Sequence, residues 1–304
     1  MGEGIMRRQL KPDRGLQARM FLTMFLLAAL YLFFGMVLWQ AGVGYTGVAL
    51  IVGLMLVAQY YFSDQLVLWS MGAKEVGPRE APELHALVER LAALADVPKP
   101  RVAIVPTPLP NAFATGRSPS HAVVAVTTGL LERLSPPELE AVLAHELSHI
   151  RHRDMAVMTI ASFFATVASF LVQQFYYWGF WGYGGREDRD NRGGAMVVYL
   201  VSLVVWILSY FLINALSRYR EFAADRGSAL LTGAPGQLAS ALLKISGVMQ
   251  RIPTQDLRQA EALNAFFIVP ALSGESLLEL FSTHPSLERR LAYLREIERE
   301  MEGR

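Results

Sequence analysis

The sequence predicts a mainly α-helical protein with a small β-sheet, in which four transmembrane helices carry a domain on the cytosolic side. Three observations lead to this fold class. Hydrophobic residues make up 53% of the 304 residues, above the apolar share of an ordinary soluble domain. The charged residues are concentrated between long uncharged stretches. Between those stretches, short valine-rich runs alternate with segments of helical periodicity.

Residues 20–63 contain no charged residue and are predicted to form a transmembrane hairpin. A helix needs about 20 apolar residues to cross a bilayer, so the stretch fits two spans. The uncharged, glycine-containing segment 40–47 is the natural turn between them. The apolar run is too long for a cleaved signal peptide, and no small-residue cleavage site follows it closely. Residues 1–19 are then a basic tail in front of this hairpin.

Residues 155–217 are predicted to form a second hairpin, with a connector at about residues 179–194. Two uncharged stretches flank a short charged segment, and several aromatic residues precede that segment. Aromatic residues are enriched where helices leave the bilayer. Buried core helices of a soluble protein are the alternative, but four such segments would leave a short chain little polar surface.

Basic residues indicate the orientation of the spans. They lie in the N-terminal tail, immediately before the third span and immediately after the fourth. The positive-inside rule therefore places both termini in the cytosol. The cytosolic domain then has two parts, residues 64–154 and 218–304. We expect an integral, multi-pass protein of the plasma (inner) membrane whose surroundings include the lipid bilayer.

The cytosolic parts are predicted to mix helices and strands. Residues 80–95 have helical periodicity, and residues 101–106 and 121–127 are valine-rich, as strands are. Ser135, two prolines and Glu138 form a helix-start signal, with a capping serine and a glutamate three residues later. The helix that follows continues to about residue 152. Further helices are predicted at 236–250, 255–267 and 286–302.

The strongest chemical signal lies inside the helix that Ser135 starts. His145 and His149 are four residues apart and share one helix face, so both imidazoles can reach one metal ion. Glu146 follows the first histidine and can activate a metal-bound water. The chain has no cysteine, so any metal must be held by histidine or carboxylate. The alternative is a helix with two solvated histidines.

Catalytic zinc usually takes three protein ligands and one water, so one ligand is missing. Glu221 is the candidate, and Asp225, one turn later, is placed to orient a ligand histidine. Glu221 can join the histidines only if an even number of spans separates them, and the hydropathy pattern predicts two. We therefore expect the third and fourth spans to continue the two helices that carry the ligands. The alternative is an ordinary polar helix face.

Four segments together resemble the HtpX family of membrane zinc proteases, which is related to the CAAX prenyl proteases. They are HELSH at 145–149, SRYREFAAD at 217–225, PNAFATG at 110–116 and FSTHPSLERR at 281–290. The resemblance covers nearly the whole chain and includes the four spans. It implies a zincin-like domain with a zinc site at the cytosolic membrane face. It also implies that His145, His149 and Glu221 bind zinc and that Glu146 is catalytic.

The resemblance also implies substrate contacts. Asn111 and Ala112 match positions that contact the substrate backbone near an edge strand, and a peptide is then expected to add as a strand beside residues 121–127. A simple turn at Asn111 is the alternative. His284 matches a position that can stabilise the oxyanion formed during hydrolysis. A cap for the helix after Ser286 is the alternative for His284.

The expected function is zinc-dependent cleavage of misfolded or damaged membrane proteins on the cytosolic side. Two alternatives remain: a specialised protease that trims prenylated or fixed-sequence peptides, and a membrane scaffold with a structural zinc. The relatives that trim such peptides have more than four spans and a large intramembrane chamber, and four spans are too few to enclose one. A structural zinc is disfavoured because three protein ligands leave a position for water. Polypeptides are the expected partners. The net charge of +1 gives no reason to expect a nucleic-acid partner.

Overall fold

The computed structural model describes residues 13–40, 53–54, 57, 61, 65, 67–181, 192–249, 268 and 282–303. Within these residues the strands are β1 (Lys74–Glu75), β2 (Arg101–Val105), β3 (Ala112–Thr115) and β4 (Val123–Thr127). The helices are α1 (Arg14–Gln40), α2 (Pro82–Ala95), α3 (Thr128–Leu131), α4 (Pro136–Arg151), α5 (Asp154–Trp181), α6 (Arg192–Thr232), α7 (Pro235–Met249) and α8 (Leu287–Glu302). The helix predicted at 255–267 lies outside the described residues.

The four strands form one mixed sheet in the order β1-β2-β4-β3. β2 and β4 are parallel, whereas β1 and β3 pair antiparallel with their neighbours. β4 is therefore an interior strand with both edges paired, and the prediction that a peptide adds beside residues 121–127 is wrong. Residues 119–121 form a 3₁₀ turn before β4 instead of belonging to it. Among the described strands, β1 and β3 form the two edges of the sheet.

The backbone of β3 offers hydrogen-bonding groups on its unpaired side. The N–H of Thr127 donates to the carbonyl of Asn111 at 2.9 Å, immediately before β3. Counting in steps of two from Asn111, the backbone groups of Phe113 and Thr115 face β4. In an antiparallel ladder the alternate residues direct their N–H and C=O groups the other way. Ala112 therefore directs its N–H and C=O, and Ala114 its C=O, to the edge of β3 that pairs with no other described strand, while the N–H of Ala114 bonds to Glu146.

The main core lies between the sheet and four helices: α2, α4, α7 and α8. Its fully buried members include Val88, Val124, Leu143, Leu242 and Leu294, one from each of these helices and one from β4. Several such side chains, each contributing about 1.5–3 kcal/mol on burial, hold α4 against the sheet. The helix that carries both histidines is consequently fixed on two sides.

The start of α4 follows the predicted capping signal. The N–H of Ser135 donates to Oε2 of Glu138 at 2.8 Å, and the reciprocal bond of the capping box is also present. Glu138 also accepts from Ser240 and Lys244 of α7, each at 2.7 Å. Burial alone would raise the pKa of Glu138, but the bonds from Lys244, Ser240 and Ser135 lower it to about 2. Glu138 is therefore a charged link between α4 and α7.

Three helices in the described part of the chain are long and apolar enough to cross a membrane. They are α1, the Asp154–Gln173 part of α5 and the Met196–Thr232 part of α6, with mean hydropathies of 2.4, 2.1 and 2.5. They coincide with the first, third and fourth predicted spans. They pack on one another, and the hydroxyl of Tyr31 donates to the carbonyl of Ala161 at 2.7 Å. The second predicted span and most of the 179–194 connector lie outside the described residues.

α5 and α6, the helices of the second predicted hairpin, differ in how they join the segments that carry His149 and Glu221. α6 is one continuous helix of 41 residues, as expected for a span that continues into the segment with Glu221. α4 and α5 are separate, so the expectation of a continuous helix after His149 is wrong. The chain turns at Arg153, whose φ of 55° is left-handed. The turn places Asp154 at the start of α5, from where its carboxylate reaches back to His149.

α4 and α6 approach each other closely at Gly227. A Cβ atom on Gly227 would lie 2.2 Å from Oγ and 2.7 Å from Cβ of Ser148. One residue later, the hydroxyl of Ser228 donates to the carbonyl of Ala141 at 2.7 Å. The absence of a side chain at Gly227 therefore sets the separation of the two helices.

We predict that Gly227→Ala destabilises the protein by about 1–3 kcal/mol, because the added methyl group forces α4 and α6 apart. Thermal unfolding of the purified protein in detergent is the measurement. Gly247→Ala in α7 is the matched control, because no atom lies within 4 Å of its added Cβ. In a helix this control should be neutral or stabilising by up to about 1 kcal/mol. Equal midpoints for the two variants would contradict the prediction.

Candidate metal centre

Three donor atoms from α4 and α6 converge on one point. Nε2 of His145 lies 3.2 Å from Nε2 of His149. The Glu221 carboxylate lies 3.6 Å from Nε2 of His145 and 3.4 Å from Nε2 of His149. Donors bound at 2.0–2.1 Å around a tetrahedral ion are separated by about 3.3 Å. The three residues therefore fit a single small metal ion.

Both histidines are oriented by a carboxylate on their other ring nitrogen. Nδ1 of His145 lies 3.0 Å from Asp225, as the sequence predicted for a ligand histidine. Nδ1 of His149 lies 2.6 Å from Asp154. Each carboxylate accepts a hydrogen bond from Nδ1–H, so the proton stays on Nδ1 and the lone pair of Nε2 is directed at the shared point. The contact of Asp154 with His149 was not predictable from the sequence, because the turn at Arg153 that brings Asp154 back has no glycine or proline to signal it.

A buried arginine forms an ion pair with each of these carboxylates. Arg290 donates from Nη2 and Nε to Asp225, at 2.5 and 3.0 Å. Nη2 of Arg220 lies 2.5 Å from Asp154. Neither contact was predicted from the sequence. The available signal for Arg290 was its place at the end of the FSTHPSLERR segment.

The charges around the site favour a divalent cation. Four buried carboxylates lie here, with only two buried arginines, Arg220 and Arg290, close to them. The four are Glu146, Asp154, Glu221 and Asp225. With neutral histidines, two negative charges stay uncompensated within the described residues, and burying uncompensated charge is costly. An ion of charge +2 would balance them.

Glu146 lies beside the ligands and contacts the edge of the sheet. Its Oε2 accepts the backbone N–H of Ala114 at 2.9 Å. Burial raises the pKa of this carboxyl, against the opposing effect of His145 and His149. The side chain is only 5% exposed, and that exposed fraction lies in the metal-site cleft. The carboxylate is thus held between the predicted metal ligands and β3.

His145, His149 and Glu221 line a cleft with a volume of about 300 Å³. β3, α4, α5 and α6 form its walls, and Ala112, Ile268 and His284 also line it. Nδ1 of His284 lies 3.3 Å from the Glu221 carboxylate. Ser286 is the N-cap of α8, so His284 is not the cap of that helix.

Asn111 is placed differently from its neighbour Ala112. Its side chain is fully buried, and its Oδ1 accepts the backbone N–H of Ile268 at 3.0 Å. The carbonyl of Ile268 in turn accepts from Nη1 of Arg290 at 2.7 Å. Asn111 therefore holds a residue that lines the cleft, and its predicted contact with a substrate backbone stays a prediction.

Comparisons with known proteins agree with this geometry. The model of peptidase family M48 matches residues 78–298. A protein named Protease HtpX homolog from Moorella thermoacetica is 77% identical, over 98% of this chain and all of the relative. Protease HtpX homolog 2 from Methanosarcina mazei is 59% identical, over 97% of this chain and all of the relative.

A solved structure has a similar fold. The crystal structure of S. mikatae Ste24p superposes with a TM-score of 0.56 at 18% sequence identity, covering 93% of this chain and 67% of that chain. At this identity the likeness concerns the fold alone. The family model and the near-complete match to HtpX homologues show more: the chain belongs to peptidase family M48, among its HtpX-type members.

Proposed function

We propose that this chain is a zinc-dependent endopeptidase that cleaves misfolded or damaged membrane proteins on the cytosolic side of the plasma (inner) membrane. The observation that carries the proposal is the convergence of His145, His149 and Glu221 at the spacing of ligands around one ion. Two imidazoles, one carboxylate and an open fourth position are typical of catalytic zinc. The relatives named as HtpX proteases support the same activity.

Zinc, when bound, supplies a Lewis acid that polarises the scissile carbonyl and acidifies the attacking water. Glu146 accepts the proton of that water and delivers it to the leaving amine. The raised pKa of Glu146 makes its carboxylate a stronger base toward the proton of the attacking water. The bond from Ala114 holds one oxygen in place and leaves the other for the proton.

His284 is proposed to stabilise the negative charge that develops on the carbonyl oxygen. Its ring is 6% exposed and lines the cleft beside Glu221. A donor fixed in a water-poor cleft stabilises developing charge far more than a donor in water.

The substrate is proposed to bind as an extended strand along β3. The N–H and C=O of Ala112 and the C=O of Ala114 lie at the edge of β3 away from β4, and both residues line the cleft. Main-chain pairing of this kind requires an unfolded segment but no particular sequence. It therefore suits an enzyme that acts on misfolded chains.

The position of Glu221 on α6 supports substrates at the membrane surface. The apolar part of α6 ends at about Leu216, five residues before Glu221. At 1.5 Å per residue, the ligand lies about 8 Å along the helix from that apolar part. The basic residues that flank the spans support a cytosolic site and cytosolic termini.

We predict that Glu146→Gln keeps bound zinc and loses peptidase activity by a factor of about 10²–10⁴, because the general base is removed while the ligands remain. Digestion of casein and metal content are measured on the same preparations. Glu140→Gln on the same helix is the control, because Glu140 pairs with Arg90 at the surface. Cleavage by Glu146→Gln at the wild-type rate would refute the role of Glu146.

We also predict that Asp154→Asn weakens zinc affinity by about 10–100-fold, because His149 loses the carboxylate that orients its ring. Competition with a chelator measures the affinity. The variant also leaves Arg220 without its partner, so Asp154→Asn/Arg220→Gln is the second variant. The double variant should regain stability and keep the weakened affinity. Wild-type affinity in the double variant would show that the contact with His149 has no such role.

A further inference from the structure

We propose that the substrate cleft continues into a cationic pocket that favours an acidic residue two or three positions from the cleaved bond. The inference rests on the proposed peptidase function and concerns which substrates it accepts. Three arginines, from two separate parts of the chain, form the pocket: Arg117, Arg151 and Arg153.

The pocket adjoins the metal-site cleft. It has a volume of about 550 Å³. His149, Asp154 and Met155 line both cavities, so the two share a wall beside the metal ligands. The pocket begins where β3 ends, at Thr115 and Gly116. A peptide paired with β3 and extended past Thr115 would therefore enter it.

Three arginines in this pocket lack carboxylate partners. Arg117, Arg151 and Arg153 form no ion pair with any residue that the structure describes. Arg117 is half-buried, and its guanidinium lies 5.3 Å from the ring centroid of Tyr61. In contrast, Arg90, Arg101, Arg133, Arg220, Arg226 and Arg290 all have ion-pair partners.

Acidic residues of the pocket do not neutralise this charge. Asp154 is already bound to His149 and Arg220. Asp96 is exposed and lies at the left-handed end of α2. The pocket is thus positively charged, and a carboxylate on the substrate is the group that complements it.

The distance along the chain sets which substrate residue reaches the arginines. An extended chain rises about 3.3 Å per residue, so Arg117, two residues past the end of β3, lies at most about 10 Å from Ala114, the residue that contacts Glu146. A paired substrate strand covers that distance in two or three residues beyond the scissile bond. Partly exposed charges a few ångströms apart can change a rate constant by roughly tenfold.

Phospholipid headgroups are the other anionic ligand for arginines at the start of an apolar helix. Arg151 and Arg153 fit both ligands, since α5 begins at Asp154. Arg117 favours the peptide, because it follows the end of the edge strand β3 by two residues. The shared wall with the metal cleft favours the peptide as well.

Fluorogenic peptides with one cleaved bond test the proposal. They differ only at the second or third position on either side, which carries Glu, Gln or Lys. The full-length zinc-loaded protein in detergent is measured as wild type, Arg117→Glu and Arg79→Glu. Arg79→Glu is the matched control, because Arg79 is an exposed arginine that lines neither cavity. The ratio of kcat/KM for Glu and Lys peptides is the readout, because the fraction of active enzyme cancels.

We expect wild type and Arg79→Glu to prefer the Glu peptide by roughly tenfold at one position. In Arg117→Glu this preference should vanish or reverse. High salt should reduce it in the wild type, because these charges are screened.

Equal ratios of kcat/KM for the Glu and Lys peptides in wild type and Arg117→Glu would overturn the proposed role of the pocket and leave the proposed peptidase function intact. An unchanged ratio together with weaker binding of Arg117→Glu to phosphatidylglycerol vesicles would assign the arginines to lipid instead. No cleavage of any peptide by the zinc-loaded wild type would overturn the proposed function, and this inference with it.

Discussion

Negative charge buried between α4 and α6 is the constraint on which the rest of the structure depends. Four carboxylates lie around His145 and His149, and two buried arginines offset only half of their charge. A folded chain tolerates such a cluster only if a cation joins it or if protons are taken up. The ring nitrogens and the carboxylate of Glu221 already stand at the spacing of ligands around one ion. The binding of a divalent metal and the stability of the helix pair are therefore linked.

The geometry of the two helices follows from small features of the sequence. Gly227 lets α6 approach α4, and the unbroken course of α6 fixes Glu221 relative to the apolar part of the helix. The turn at Arg153, in contrast, ends α4 and separates it from α5. It brings the carboxylate of Asp154 to Nδ1 of His149. The continuous helix α6 therefore carries the candidate ligand Glu221, and the turn between α4 and α5 positions the carboxylate that orients His149.

Local patterns in the sequence predicted much of this site. The four-residue spacing of His145 and His149 placed both on one helix face, and the Ser135 capping signal located the start of that helix. Hydropathy predicted that two spans separate them from Glu221. These signals are local, because they depend on residues within one helix or on the composition of one stretch.

Contacts between distant elements were not predictable in the same way. Strand pairing leaves no mark on the sequence of a single strand, so β3 was not recognised as the edge of the sheet. Arg290 lies 65 residues after Asp225, and nothing in their own segments indicates that they pair. Arg117, Arg151 and Arg153 form no ion pair with a described residue, and this too can be seen only when the folded neighbours of each arginine are known.

Zinc affinity of Glu221→Gln tests the central claim most directly, because this change keeps the size of the side chain and removes its charge. Equilibrium competition with a chelator is measured for this variant and the wild type. The account predicts a loss larger than the roughly 10–100-fold caused by removing a supporting carboxylate. Wild-type affinity in Glu221→Gln would contradict it, because the metal would then be held without α6.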